Sequence, residues 1–413
     1  MINRIDIKNF KSIVDISLEI GRFNVLIGAN GSGKTNILEA IAFGAAAEAH
    51  KLDFEFLGSR GIRATNPEFM YSAFKKNSSM NPIHIELYVD EKQNFFDIQQ
   101  EESNPKKWNE KNFSDLLKQA YEMNQKLDES KREIEAMRKI MGSFEKTINK
   151  SGDESNKTKL TEVFSQIDSV DDELKQKMEQ LSSIIKTTER RQGNPEISNY
   201  IIYTPEQTSL RKFEESTQMY PLGIKGEGLF QHLKNIKFSK KNVRIFNAIK
   251  NNLFLFDWFE DIIIPKNLLE SEYSLKIKDK YLFDDLKYFD QRSANEGFLF
   301  LLFYSTLFIS NETPRFFSID NIDSSLNPRL CAKLTNRLVS LSKKYNKQVI
   351  VTTQNPFILD GLNLQDDSQR LFVVRRNEEG HTKIKRIEYN PKRKKSLSEI
   401  WSYGYIGGLP DNF

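Results

Sequence analysis

Gly28-Ala29-Asn30-Gly31-Ser32-Gly33-Lys34-Thr35 forms a complete G-x-x-x-x-G-K-[ST] phosphate-binding loop. Its flanks decide the fold. Phe23-Asn24-Val25-Leu26-Ile27 before it reads as a buried strand, and Ile37, Leu38, Ile41 and Ala42 after it recur at helical spacing. A strand, a glycine-rich turn and a helix in that order are the context the motif requires. Glycines let successive backbone N–H groups turn inward, and the helix N-terminus adds partial positive charge. In such a loop Lys34 reaches the β- and γ-phosphates and the Thr35 hydroxyl serves Mg²⁺. Nucleotide binding is the first expectation.

The 413 residues suffice for one large domain or two ordinary ones. Charged residues make up 29% with a net charge of only +4, so no general affinity for polyanions follows. The single cysteine, Cys331, excludes an internal disulfide and a cysteine-cluster metal site, and suits a reducing cytoplasm. Met1 leads straight into a strand pattern, so export is not expected. The most apolar run, Phe298 to Ile309, is too short for the ~20 residues that span a bilayer and reads as a buried helix. The expected protein is cytoplasmic and free of the membrane.

Working outward, Ile5 and Ile7, then Ile16, Leu18 and Ile20, alternate as two strands around Asn9-Phe10-Lys11-Ser12. Beyond the loop helix, Leu57 to Asn81 is irregular; its Arg60 and Arg63 are read as solvated rather than as phosphate contacts. Ile83 to Val89 is another strand. From Trp108, long charged side chains enclose a regular apolar seam: Phe113, Leu116, Ala120, Met123, Leu127, Ser130, Ile134, Met137, Met141, Phe144 and Ile148. These steps of three and four make about five heptads. After a polar break at 149–156 the pattern resumes with Leu160, Phe164, Ile167, Leu174, Met178, Leu181 and Ile185, with Asp171 as a polar intruder. An antiparallel helical hairpin of about 50 Å is expected. The expected organisation is 1–107 as the first part of a globular body, 108–190 as the hairpin and 191–413 as the second part.

Tyr200-Ile201-Ile202-Tyr203 reads as a short strand, and Gly223 to Gly228 opens a helix near Leu229 without forming a second phosphate loop. Residues 240–290 show no clear pattern. Then Ser293-Ala294-Asn295-Glu296-Gly297 heads the apolar helix, and Arg315 to Asp320 is an apolar strand ending in an acid. Such an acid holds Mg²⁺ beside the phosphate loop. Lys347 to Thr352 is a β-branched strand running into Thr353-Gln354-Asn355-Pro356, and strands follow at 371–375 and 382–389. The basic run Lys392-Arg393-Lys394-Lys395 is read either as a nucleic-acid contact or as a solvated loop.

Asn9-Phe10-Lys11-Ser12, Gly28 to Asn36 and Ile319 to Asn327, taken in order, resemble the ATPase heads of the ABC superfamily. The resemblance is to the SMC, RecF and OLD-like branch. The segments Thr352 to Phe357, Leu397 to Trp401 and Gly404 to Pro410 are similar to OLD-like ATPases of prokaryotic antiphage defence, such as PARIS- or Septu-type subunits. The implied fold is α/β: an ABC-type P-loop ATPase head with an inserted antiparallel helical hairpin. The resemblance implies ATP and Mg²⁺ as ligands. Asn30, Gly31, Ser32, Gly33, Lys34, Thr35 and Asn36 would hold the nucleotide of one subunit. Ser293, Asn295 and Gly297 would contact it from the other, and Thr35 and Asp320 would hold the metal. A homodimer through the heads is implied; a higher oligomer is left open.

Two positions depart from that pattern. The family's general base, a Glu after the metal-binding Asp, is Asn321 here, and an amide cannot accept the proton. A positioned base contributes about 10²–10⁴-fold, so binding with slow hydrolysis is expected unless Asp323 substitutes. The family's switch His is Gln354, which can orient water but does not titrate. Two functions fit. One is a sensor or scaffold holding a separate effector, such as a Toprim-, HNH- or RloB-like nuclease, in antiphage defence. The alternative is a DNA-repair or chromosome clamp that closes on DNA. A self-contained nuclease is disfavoured, because only about 60 residues follow Thr353.

Overall fold

The computed structural model describes the chain apart from residues 75–80, 91, 102–103, 111–122, 133, 137, 141, 143–174, 176–177, 180–193, 213–220, 267–273, 284–285, 325 and 410–413. By its internal contacts the chain divides into two units. One comprises Met1–Asn109 with Pro195–Phe413, and the other Glu110–Asn194.

The first unit is built on a six-stranded sheet in the order β14-β13-β3-β12-β11-β7. Its strands are β3 (Phe23–Ile27), β7 (Ile202–Tyr203), β11 (Phe316–Ile319), β12 (Gln348–Thr353), β13 (Gln369–Arg376) and β14 (Thr382–Ile387). All pairs are parallel except β13 with β14. Parallel neighbours need long crossovers, and both faces of such a sheet are covered. The uninterrupted apolar character of β3, β11 and β12, each wholly buried, is the trace of this in the sequence.

One face is covered by α1 (Lys34–Glu48), beyond which lies an antiparallel sheet, β2-β1-β4-β5-β6. Its strands are β1 (Ile2–Phe10), β2 (Ile13–Glu19), β4 (Ile83–Val89), β5 (Lys92–Glu101) and β6 (Asn104–Glu110). Helix α1 is buried on nearly all sides, so its apolar residues form no single stripe. Gly44 allows the close approach: a Cβ there would lie 2.8 Å from Ile85 Cγ2. The other face packs on α4 (Glu296–Ile309), whose residues 297–309 are all buried, as expected of the apolar run. Around it stand α2 (Leu229–Phe238), α3 (Val243–Leu253) and α5 (Pro328–Lys344). The patternless 240–290 region resolves into α3 and a small sheet of β8 (Phe259–Ile263), β9 (Lys276–Asp279) and β10 (Phe289–Asp290). The chain closes with α6 (Leu397–Ser402), which starts in a capping box made by Ser396 and Glu399.

Trp108, expected at the start of the hairpin, is a strand residue. It lies on β6 and is buried edge-on against Phe43 of α1, with ring centroids 5.1 Å apart, and beside Tyr71. In the second unit, residues 123–132 and 134–136 are helical. Two expected seam positions, Leu127 and Ile134, are buried between exposed neighbours. Met123 and Ser130 are helical and half-buried; the other positions of the first seam, the polar break and nearly all of the second seam lie outside the described residues.

Candidate functional site

The site lies where β3, β11, β12 and β13 end, the edge at which open α/β sheets take ligands. Gly28 leaves β3 with φ +153°, and a Cβ there would fall 2.2 Å from Val374 O. Gly33 caps α1 with φ +106°, and its Cβ would fall 2.2 Å from Thr382 Oγ1. Neither position accepts a side chain, which leaves the loop backbone bare for a phosphate chain.

Lys34 is buried and folds back along the loop, its Nζ donating to Gly28 O at 2.7 Å and Ala29 O at 3.0 Å. Burial lowers its pKa, partly offset by the charges of Asp320 and Asp323. Ser32 Oγ is buried with no hydrogen-bond partner among the described residues. An orphaned hydroxyl beside a buried ammonium suits a polyanionic oxygen ligand.

Thr35 Oγ1 donates to Asp320 Oδ2 at 2.9 Å, so the two expected metal residues meet. Thr352, at the end of β12, hydrogen-bonds the other carboxylate oxygen. One carboxylate and one hydroxyl are a hard oxygen set of the kind Mg²⁺ uses together with phosphates and water. Among the described residues no cluster of three His, Cys, Asp or Glu offers a self-sufficient metal site.

Asn321 follows with a left-handed φ of 55°, its N–H donating to Thr352 Oγ1 at 2.9 Å and its side chain exposed. Asp323 Oδ1 accepts from Thr353 Oγ1 at 2.6 Å. Its charge raises the pKa of Tyr304 and Cys331, whose main perturbation is burial, so it borders the helical core as well as the loop. Gln354 Nε2 donates to Asn30 Oδ1 at 2.6 Å and so touches the phosphate loop directly.

The Ser293–Gly297 segment is organised locally. Ser293 bonds Asp290 Oδ1 through its N–H at 3.1 Å and its hydroxyl at 3.4 Å. Asn295 caps α4 by accepting the Phe298 N–H at 2.8 Å. Gly297 lies in the first turn of α4.

Three features were missed by sequence reasoning. Glu39, on α1 one turn beyond Thr35, is fully buried and takes Lys11 Nζ at 2.5 Å and Arg63 Nε at 2.7 Å. An acid within an apolar helix was the available signal. Arg63 also approaches Asn36 Oδ1 at 3.4 Å. Arg63 is otherwise exposed, as expected, whereas Arg60 is half-buried: its guanidinium lies 4.6 Å from the Phe56 ring centroid, and burial lowers its pKa. Finally, Ser12 Oγ joins Asn36 Nδ2 and Thr382 Oγ1, each at 2.7 Å, tying the turn between β1 and β2 to the loop. Nothing in the sequence marks Thr382.

This arrangement agrees with the comparisons. The chain is 32% identical over 88 residues to the DNA replication and repair protein RecF of Lactococcus lactis, covering 21% of this chain and 24% of that protein. It is 46% identical over 41 residues to the OLD nuclease of Thermus scotoductus, covering 10% and 8% respectively. The chain thus spans about a quarter or less of these relatives. Among solved structures, a crystal structure of the SmcHead bound to the C-winged helix domain of ScpA superposes with a TM-score of 0.50 at 16% identity, covering 94% of this chain and 98% of that one. That likeness shows the fold alone, the mixed α/β fold of an SMC head domain. No helix among the described residues is long and apolar enough to cross a membrane. The model of one family, described as "AAA domain, putative AbiEii toxin, Type IV TA system", matches residues 23–360. The chain belongs to that family, as an ABC-superfamily ATPase head of the SMC, RecF and OLD type.

Proposed function

We propose that this protein binds ATP with Mg²⁺, closes as a homodimer over it, hydrolyses it slowly and thereby controls a separate effector. The observation that carries the nucleotide reading is the Thr35–Asp320 contact beside the buried Lys34. The loop N–H groups and Lys34 hold the phosphates, and Asn36 lies at the start of the same helix. Mg²⁺, when bound by Thr35 and Asp320, neutralises charge on the transferring phosphoryl group. Gln354, already on Asn30, orients the attacking water. Asn321 cannot accept its proton, and Asp323 is engaged by Thr353, which supports slow turnover. Ser293, Asn295 and Gly297 present the N-terminus of α4 to the partner's γ-phosphate.

The domain reading stays that of the sequence, a hairpin inserted in the head. The effector is proposed to be a nuclease in antiphage defence, a reading supported by the family's description and by the similarity to an OLD nuclease. Similarity to RecF supports the second reading, a clamp on DNA. Light scattering with ATP, and co-purification with the product of a neighbouring nuclease gene, test the first. An ATP-independent monomer that captures no such protein would sink it. Lys34→Ala is the control and is expected to lose ATP affinity while staying folded.

A further inference from the structure

The segment after α6 lies against the outer side of the phosphate loop. Gly408, at φ +84°, approaches so closely that a Cβ would lie 2.8 Å from Val373 Cγ1 and 3.4 Å from Gly28 Cα. Between them is a cleft of about 620 Å³, floored by Ala29–Ser32 and walled by Arg375, Arg376, Tyr403 and the Gly404–Leu409 turn. Arg375 pairs across the sheet with Lys383, and Val373 with Lys385, so both lysines stand on the cleft's side of β14, and both are exposed. Tyr403 and Tyr405 are 66% and 68% exposed, their centroids 6.0 Å apart, and Lys395 Nζ sits 4.6 and 5.1 Å from them. Lys392, Arg393 and Lys394 directly precede Lys395 in the chain.

Three carboxylates of this region are engaged elsewhere, while Glu378 and Glu388 are exposed. Asp367 holds Arg370 and Arg386, Glu379 faces His381, and Glu399, near Lys395, closes its capping box. The surface thus joins a row of cations to exposed aromatic faces. Lysines are depleted at protein interfaces, whereas cations beside stacking platforms suit a strand of phosphates and unpaired bases.

We propose that this surface binds single-stranded nucleic acid, with phosphates along Arg375, Lys383 and Lys385 and bases stacked on Tyr403 and Tyr405. It requires neither dimerisation nor hydrolysis, so its failure leaves the ATPase reading intact. The test is fluorescence anisotropy of labelled oligo(dT) and oligo(U) 20-mers on the full chain without nucleotide. Duplex DNA of equal length and a polyglutamate peptide serve as competitors. The wild type is compared with Tyr403→Ala/Tyr405→Ala and with Lys383→Glu/Lys385→Glu. Stacking is worth about 1–3 kcal/mol per base, so the tyrosine variant is expected to bind at least about tenfold more weakly. The charge reversal is expected to flatten the dependence of log K on log salt by at least ~1.4 units, at ~0.7 for each phosphate no longer neutralised. Retained folding, seen by circular dichroism, and retained ATP affinity exclude a collapsed variant. Undetectable binding by the wild type, equal binding by both variants, or displacement by duplex or polyglutamate as readily as by unlabelled strand would overturn the proposal; displacement by polyglutamate would mark the surface as an acidic-protein site.

Discussion

Thr35 and Asp320, 285 residues apart, meet through a 2.9 Å hydrogen bond from hydroxyl to carboxylate. The contact joins the first turn of α1 to the end of β11 and brings together the two residues proposed to hold Mg²⁺. Catalytic capacity then depends on the residues around it.

Asn321 directly follows that acid with its side chain in solvent. Asn321→Glu is expected to raise ATP turnover by about 10²-fold or more, since it adds a carboxylate able to take a proton. Steady-state phosphate release measures it. Unchanged turnover in Asn321→Glu, together with loss of activity in Asp323→Ala, would mean that the base had moved to Asp323.

Glu39 is a buried carboxylate facing two cations. Removing one partner of a buried pair costs about 3–5 kcal/mol. Arg63 is largely exposed, so screening puts Glu39→Ala near the low end, about 3 kcal/mol. Glu39→Gln, which keeps the hydrogen-bonding shape, is expected to lose less. Urea titrations of both variants give the difference.

Gly33→Ala introduces a Cβ into Thr382 at a left-handed backbone position. ATP affinity should fall by more than tenfold, while thermal unfolding shifts by only a few degrees because the clash is mainly with one side chain, Thr382, on the edge strand β14. Calorimetry supplies both numbers. A normal affinity would show that the loop relaxes freely.

Lys347 is buried, with Nζ 2.8 Å from both Thr313 O and Thr313 Oγ1 and 3.1 Å from Pro314 O. Burial, reinforced by Arg315, lowers its pKa from 10.5 to about 7. Between pH 7 and 10.5 the unfolded chain therefore binds more protons at this position than the folded one. Its contribution to stability should rise with pH across that window and level off below it. Lys347→Met should flatten that part of the melting-temperature profile. An identical slope in wild type and variant would refute the assignment.

Trp108→Ala empties a site between Phe43 and Tyr71 and should cost about 3–5 kcal/mol by denaturant unfolding. A negligible cost would show that Trp108 is not part of this core.

Whatever is written in contiguous residues was legible from the sequence. The phosphate loop between β3 and α1, the buried α4 and the acid ending β11 each carry their pattern within one short stretch, because period, glycine placement and apolarity are local consequences of backbone geometry. Strands β5 and β6 escaped notice, since their alternation is diluted by polar residues on a half-exposed sheet. What surrounds the loop belongs to tertiary structure alone. Glu39 with Lys11 and Arg63, Ser12 with Thr382, Gln354 with Asn30, and Gly408 over Gly28 join segments up to several hundred residues apart. They meet because β3 is flanked by β12 and β13 in a parallel sheet. Crossover connections make such neighbours distant along the chain, and a single sequence leaves no periodic trace of the pairing.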